Sequence, residues 1–158
     1  MGARLAAGLL LAVWLTGGLL LTLLPPSPPP ALVEHNFIPF RTIGIYLANL
    51  DSGYWVGQSV GNLLLLLLVG VLGPVVFPWL DRWLRVLVAA LVLSAGIELA
   101  QLWVPDRSAD VDDVLLNVVG ALIGYAILRI VRLGSGRVTP SSNATDPRPP
   151  PRASTSHR

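Results

Sequence analysis

Glu98, Gln101, Asp110, Asp112, Asp113 and Asn117 stand close together in the stretch ELAQLWVPDRSADVDDVLLNVVGALIGY, with long apolar runs on either side. Carboxylates in an apolar setting can move protons, accept hydrogen bonds or, when they converge, hold Mg²⁺ or Ca²⁺. Amides at the same depth can bind a polar ligand. Gln101 follows Glu98 at i+3, so the two share a helix face, and Asp113 and Asn117 do so at i, i+4. Arg107 is the basic residue of the loop between them and is expected to fold back over Glu98 as a charged hydrogen-bond donor. Structural duties compete with these roles. Asp110 followed by Asp113 also fits a helix N-cap with an acid in the first turn. Asn62 and Gln101 could simply hydrogen-bond across helices. Asp106, after Pro105, reads as a solvated turn residue.

The elements that must carry these side chains are membrane spans. The chain has 158 residues, 53% apolar and 13% charged, which is too apolar for a soluble domain of this size. Four uncharged or nearly uncharged runs are long enough to cross a hydrocarbon core of about 30 Å: about 5–24, 57–80, 83–103 and 111–131. The first exceeds a signal-peptide core of roughly 7 to 15 residues and lacks an A-x-A-like site, so it is expected to be an uncleaved anchor. Only Asp81 and Arg82 separate the second and third runs, which predicts a tight antiparallel hairpin with Trp79 and Trp83 at the interface. Pro74 and Pro78 should kink or end the second span. The expected fold is an all-α four-helix transmembrane bundle over residues 1–133, with an interfacial or re-entrant outer segment, followed by a disordered cytoplasmic tail at 134–158.

All eleven basic residues are Arg. With four spans, Arg4, Arg82, Arg85, Arg129, Arg132 and Arg137 share one side, against Arg41 and Arg107 on the other. The positive-inside rule then makes both termini cytoplasmic and turns the loops at 25–56 and 104–110 outward. Asn62, Glu98 and Asn117 each lie about five or six positions inside the outer end of their span, roughly 8 Å deep at about 1.5 Å per residue. They converge on one layer, and an unpaired carboxylate at that depth costs at least a few kcal/mol, roughly. Gly120 and Gly124 continue the Asp113 stripe. With Gly57 and Gly61 on the second span they predict a close crossing of spans two and four near the outer surface.

The outer loop opens with PPSPPP, a stiff spacer. It continues through NFIPFRTIGIYLANL to Tyr54 and Trp55, too apolar to be fully solvated. Residues 37–50 read as an amphipathic segment on the outer interface, although periodicity does not separate this from a loop packed on the spans. The tail holds Gly, Ser, Thr, Pro and Arg with almost nothing to bury. Its Asn143-Ala144-Thr145 sequon has no meaning in the cytoplasm, and Arg137, Arg148, Arg152 and Arg158 are expected to be solvated rather than lipid-bound.

Glu98-x-x-Gln101, Arg107, Asp110, Asp112-Asp113, Asn117, Gly120 and Gly124 together resemble the VanZ-like family of small bacterial membrane proteins. NFIPFRTI at Asn36 to Ile43 is similar to the family's outer-loop motif, and Asn62 with Gly70 to its second-span motif. The resemblance runs from about Asn36 to Tyr125. Where the family's span commonly reads F-x-P-x-G, this chain has Leu66-Leu67-Leu68-Val69-Gly70, with Leu68 in place of the proline. The resemblance implies a bacterial plasma-membrane protein and a link to resistance against teicoplanin, a lipid-tailed glycopeptide. It brings no established reaction.

Three functions fit. The first is a non-enzymatic protein binding an amphiphile at the outer leaflet: a membrane lipid, a lipid-linked cell-wall precursor or a lipoglycopeptide, with Arg107 and helix N-termini on an anionic headgroup. The second is a membrane enzyme, by acid/base or metal-assisted chemistry, acting on a lipid-linked substrate through Glu98 and Asp110, Asp112 and Asp113. The third is a bundle that scaffolds a larger complex. Cysteine is absent, and the two His lie at 35 and 157, far from the layer. There is no HExxH and no nucleophile elbow, which favours binding over catalysis. No cofactor, resident metal or nucleic-acid partner is expected.

Overall fold

The computed structural model describes residues 1–24 and 34–135, apart from the side chains of residues 54 and 55. The proline spacer, the sequon and the Arg residues of the tail lie outside the described residues. Four helices are long and apolar enough to cross a membrane, and the protein is an all-α membrane bundle. They are α1 (Gly2–Leu23), α3 (Gly53–Val76), α4 (Trp83–Gln101) and α5 (Val111–Ser135), with the short α2 (Arg41–Ala48) inserted between the first two spans. The second span is shorter at its far end than its hydropathy predicts. α3 continues through Pro74 to Val76, Phe77 leaves helical geometry, and Pro78–Leu80 form a single 3₁₀ turn. A proline lacks the N–H that another helical turn would use and favours a new first turn. At the other end of the chain, α5 runs on to Ser135, beyond the expected limits of both span and domain.

α5 is the central element. α3 packs along it, and α4 packs along it from another side, whereas α3 and α4 touch little beyond their short connection. The tight turn predicted at Asp81 and Arg82 is present, but the hairpin is not closely packed: its two helices splay, and each packs against α5 instead. The core gathers Leu65 and Leu66 of α3, Val86, Ala90 and Ile97 of α4, and Val118 and Ala121 of α5. α1 is peripheral. It docks through Leu15 and Leu19, and its Trp14 indole N–H donates to the Leu65 carbonyl at 2.9 Å. Its outward side chains, among them Leu9, Val13 and Leu21, are exposed. So much bare apolar surface suits hydrocarbon rather than water.

The close crossing of α3 and α5 exists, but not where Gly57 and Gly61 were expected to make it. A Cβ at either of those glycines would meet nothing within 4 Å. The contact lies deeper: a Cβ on Gly120 would overlap the Leu63 carbonyl oxygen, one on Gly124 that of Leu67, and one on Gly70 that of Ala121. Small residues on both helices bring the backbones together because hydrocarbon offers no hydrophobic drive, so contact area must come from close approach.

Helix ends at both surfaces are closed by arginine. Arg4 donates from Nε and Nη2 to the Val76 carbonyl at the end of α3, at 2.9 and 2.6 Å. Arg107 donates to Leu24 O at 2.9 Å and Leu21 O at 2.5 Å at the end of α1. Final-turn carbonyls have no donor of their own, and a guanidinium also opposes the negative end of the helix dipole. At the Arg4 end, Arg132 holds Asp81 at 2.7 Å, with Arg129 beside it at 3.9 Å.

Candidate functional site

The polar residues at the other end of the bundle divide into a satisfied half and an unsatisfied half. The satisfied half joins α2 to α5. Asn36 and Asp110 form a parallel backbone bridge: Asn36 N–H donates to Ala109 O, and Val111 N–H to Asn36 O, both at 2.9 Å. The Asp110 carboxylate accepts from the Asp112 N–H at 2.8 Å, the N-cap bond of α5. It also accepts from the Asn36 amide at 2.8 Å and the Thr42 hydroxyl at 2.5 Å. Glu98, on α4, accepts the Asp110 N–H at 2.7 Å. Three elements are thereby tied at one residue.

Asp112 is fully buried and performs a cap from a distance. Phe40, the residue before α2, has left-handed backbone geometry and a side chain that cannot accept a hydrogen bond. The N–H groups of Phe40 and Thr42 donate to the Asp112 carboxylate at 2.6 and 2.7 Å, and that of Ile43 at 3.1 Å. The remaining first-turn donor, Arg41 N–H, goes to Ile38 O at 3.4 Å. Every orphan donor of α2 is thus accounted for, as a buried helix start requires.

The unsatisfied half lies alongside. Asp113, on α5, is flanked by Tyr46 of α2 and Asn62 of α3. Both lie within hydrogen-bonding reach of its carboxyl, although Asp113 Oδ1 and Asn62 Nδ2 form no close hydrogen bond. One turn deeper, Asn117 is 1% exposed. Its Nδ2 donates to Ser94 Oγ at 2.8 Å, and its Oδ1 is left over. Gln101 reaches α1, donating to Thr22 O at 3.2 Å, while its Oε1 is also buried without a partner. Buried polar groups are nearly always paired, so four such atoms on three helices need an explanation.

Two expectations change. Arg107 does not hydrogen-bond Glu98: its guanidinium donates to the α1 carbonyls and Glu98 accepts a backbone N–H, although the Arg107 charge is near enough to act on the Glu98 carboxyl. Nor do the four acids gather as ligands, since no group of three or more His, Asp or Glu able to hold a metal forms among the described residues. Asp112 is turned toward α2 and Asp110 toward Asn36 and Thr42, so the metal-assisted reading loses the oxygens it needs. Glu98 and Asp113 lie close enough to act on each other, Asn62 stands beside Asp113, and Asn117 follows one turn on along α5.

Sequence reasoning overlooked Ser94, Thr42, Tyr46 and the side chain of Asn36, and it misplaced His35, whose Nδ1 accepts the Ala109 N–H at 3.1 Å beside Asp110 rather than lying far from the layer. Ser94 was within reach, being one turn before Glu98 on the face that carries Gln101. Asn36 and Thr42 sit in an apolar loop whose return to α5 no local pattern announces. The apolar groove of about 620 Å³ along α4, lined by Trp79, Leu84, Arg85, Val88, Ala89, Val92 and Leu93, is at the opposite end of that helix and shares no residue with the polar layer.

A family model described as VanZ/LLP1 matches residues 8–132. No curated protein and no solved structure matches the chain.

Proposed function

The chain belongs to the VanZ/LLP1 family, and from that premise we propose a multi-pass protein of the bacterial plasma membrane that binds an amphiphile at the outer leaflet, through Asn62, Gln101, Asp113 and Asn117. The observation that carries this reading is the set of four buried polar atoms without partners, one on α3, one on α4 and two on α5. Leaving such a group unsatisfied costs about 1–3 kcal/mol, so a protein that keeps several has a use for them. An outward orientation is supported by charge: Arg4, Arg82, Arg85, Arg129 and Arg132 lie at the end opposite the layer. Phe37, Ile38, Phe40, Leu47 and Leu50, around α2, are all exposed. Such a segment lies in the outer interface, with Tyr46 facing in and an apolar surface facing lipid.

A lipid-tailed glycopeptide such as teicoplanin, a lipid-linked wall precursor and a phospholipid all present a polar head on an apolar chain. The catalytic alternative has less support, because Asp110, Asp112 and Glu98 are occupied as acceptors of structural hydrogen bonds. The structural reading does apply to that satisfied half.

Binding of lipid-tailed and tail-less glycopeptide to reconstituted protein tests the proposal, with Asn62→Leu as the variant. Asn62 stands beside Asp113 and takes no part in the hydrogen bonds that join α2 to α5. The tailed compound is expected to bind the parent protein, and the variant about tenfold more weakly, the worth of one hydrogen bond. Equal, negligible binding throughout removes the reading.

A further inference from the structure

We infer that the group received by the polar layer is a primary ammonium carried on an apolar tail, not an anionic headgroup; this rests on the amphiphile-binding reading above. The first support is charge. Glu98, Asp110, Asp112 and Asp113 are all buried in or beside the layer. The ion pairs among the described residues are Arg41–Glu34, Arg129–Asp81 and Arg132–Asp81, and none involves these four acids. Arg107, the basic residue of the adjoining loop, donates to the end of α1, and its charge acts on Glu98 and not on Asp113. A carboxyl buried without a counter-ion is costly as the anion, and a cation brought beside it offsets that cost.

The second support is the donor and acceptor balance. Asp110 and Asp112 have their donors within the protein. Three acceptors do not: Asp113 Oδ1, Gln101 Oε1 and Asn117 Oδ1. Each belongs to a side chain more than nine-tenths buried. The one donor left over is Asn62 Nδ2, within reach of the Asp113 carboxyl, so Gln101 Oε1 and Asn117 Oδ1 carry the surplus of acceptors. A phosphate would bring negative charge and further acceptors to a layer of carboxyls whose leftover atoms are mostly acceptors. A quaternary ammonium would bring the right charge and no N–H. A primary ammonium brings three N–H donors, no acceptor and a positive charge, which complements the layer on both counts.

The test uses the full chain in nanodiscs of phosphatidylcholine, whose quaternary headgroup has no N–H to compete. Saturable binding above empty discs is measured for dodecylammonium, dodecyltrimethylammonium and dodecyl phosphate, which share one tail. Dodecylammonium is expected to bind at least about tenfold more tightly than either of the others, and Asp113→Asn should erase that preference. If Asp113→Asn does not fold, Gln101→Met, which removes a free acceptor, serves in its place. Saturable binding that favours the phosphate, or does not separate the two ammonium probes, overturns the amine assignment while leaving amphiphile binding intact. A preference for dodecylammonium unchanged by the variant overturns the site. Absence of saturable binding for all three probes removes the binding reading as well.

Discussion

Asp112 has the sequence signature of a first-turn acid on its own helix and serves another helix instead. Its carboxylate accepts three N–H groups around the start of α2, where Phe40 can supply no cap. Removing that acceptor strands three donors in a dry site. Asp112→Ala is therefore expected to lower unfolding free energy in detergent by about 3 kcal/mol or more, measured by denaturant titration. Asp51→Ala, on an exposed turn, should stay within about 0.5 kcal/mol. Comparable effects in the two variants would mean that α2 is not held by Asp112. Asn62 and Asp113 are the contrasting case: side chains of the same types with atoms left over, for which loss of binding rather than of stability is the expected result.

Among the elements, α5 unites the bundle and the layer. Its first turn carries Asp112 and Asp113, its next turn Asn117, and the two turns after that Gly120 and Gly124. One helical face thus sets both the polar layer and the backbone contact that brings α3 alongside it. Gly120→Ala and Gly124→Ala would drive a methyl into a carbonyl of α3, and each is expected to cost about 1–3 kcal/mol. Gly61→Ala, with open space around its Cβ, should be neutral or stabilising by less than about 1 kcal/mol, from helix propensity. Thermal unfolding of the three variants in one detergent checks the order. A shift of α3 along α5 would displace Asn62 from Asp113, so the glycine variants should also weaken any ligand that needs both.

For the whole molecule, the decisive property is orientation, because it assigns the layer to a leaflet. The chain has no cysteine, so single-cysteine variants report without background. Ser108→Cys, in the loop between α4 and α5, should react with a membrane-impermeant maleimide in intact cells. Ser135→Cys, at the end of α5, should react only after permeabilisation. Both positions are exposed. The reverse pattern would place the polar layer at the inner leaflet and remove the case for an extracellular amphiphile. The arginine distribution and the apolar surface around α2 both point to the first outcome.

The sequence alone determined the four spans, because hydropathy and helical rise are local properties that each segment carries by itself. It also located the α3–α5 crossing on one of its two sides: Gly120 and Gly124 lie on the Asp113 stripe, whatever they meet. Tertiary structure decided what they meet. Gly70 with the Leu63 and Leu67 carbonyls forms the contact, and Gly57 and Gly61 do not, because a small-residue pattern says that close approach is possible and not which partner takes it. Likewise, Arg107 and Glu98 are near enough for their charges to interact, as the sequence suggested, yet their hydrogen bonds go to the orphan carbonyls of α1 and to the N–H of Asp110. The acids also looked alike in the chain. Only the return of residues 36–43 onto α5 separated Asp110 and Asp112, which bind backbone and neighbouring side chains, from Asp113, which keeps a free oxygen, since hydrogen-bond satisfaction depends on groups some seventy residues away in sequence.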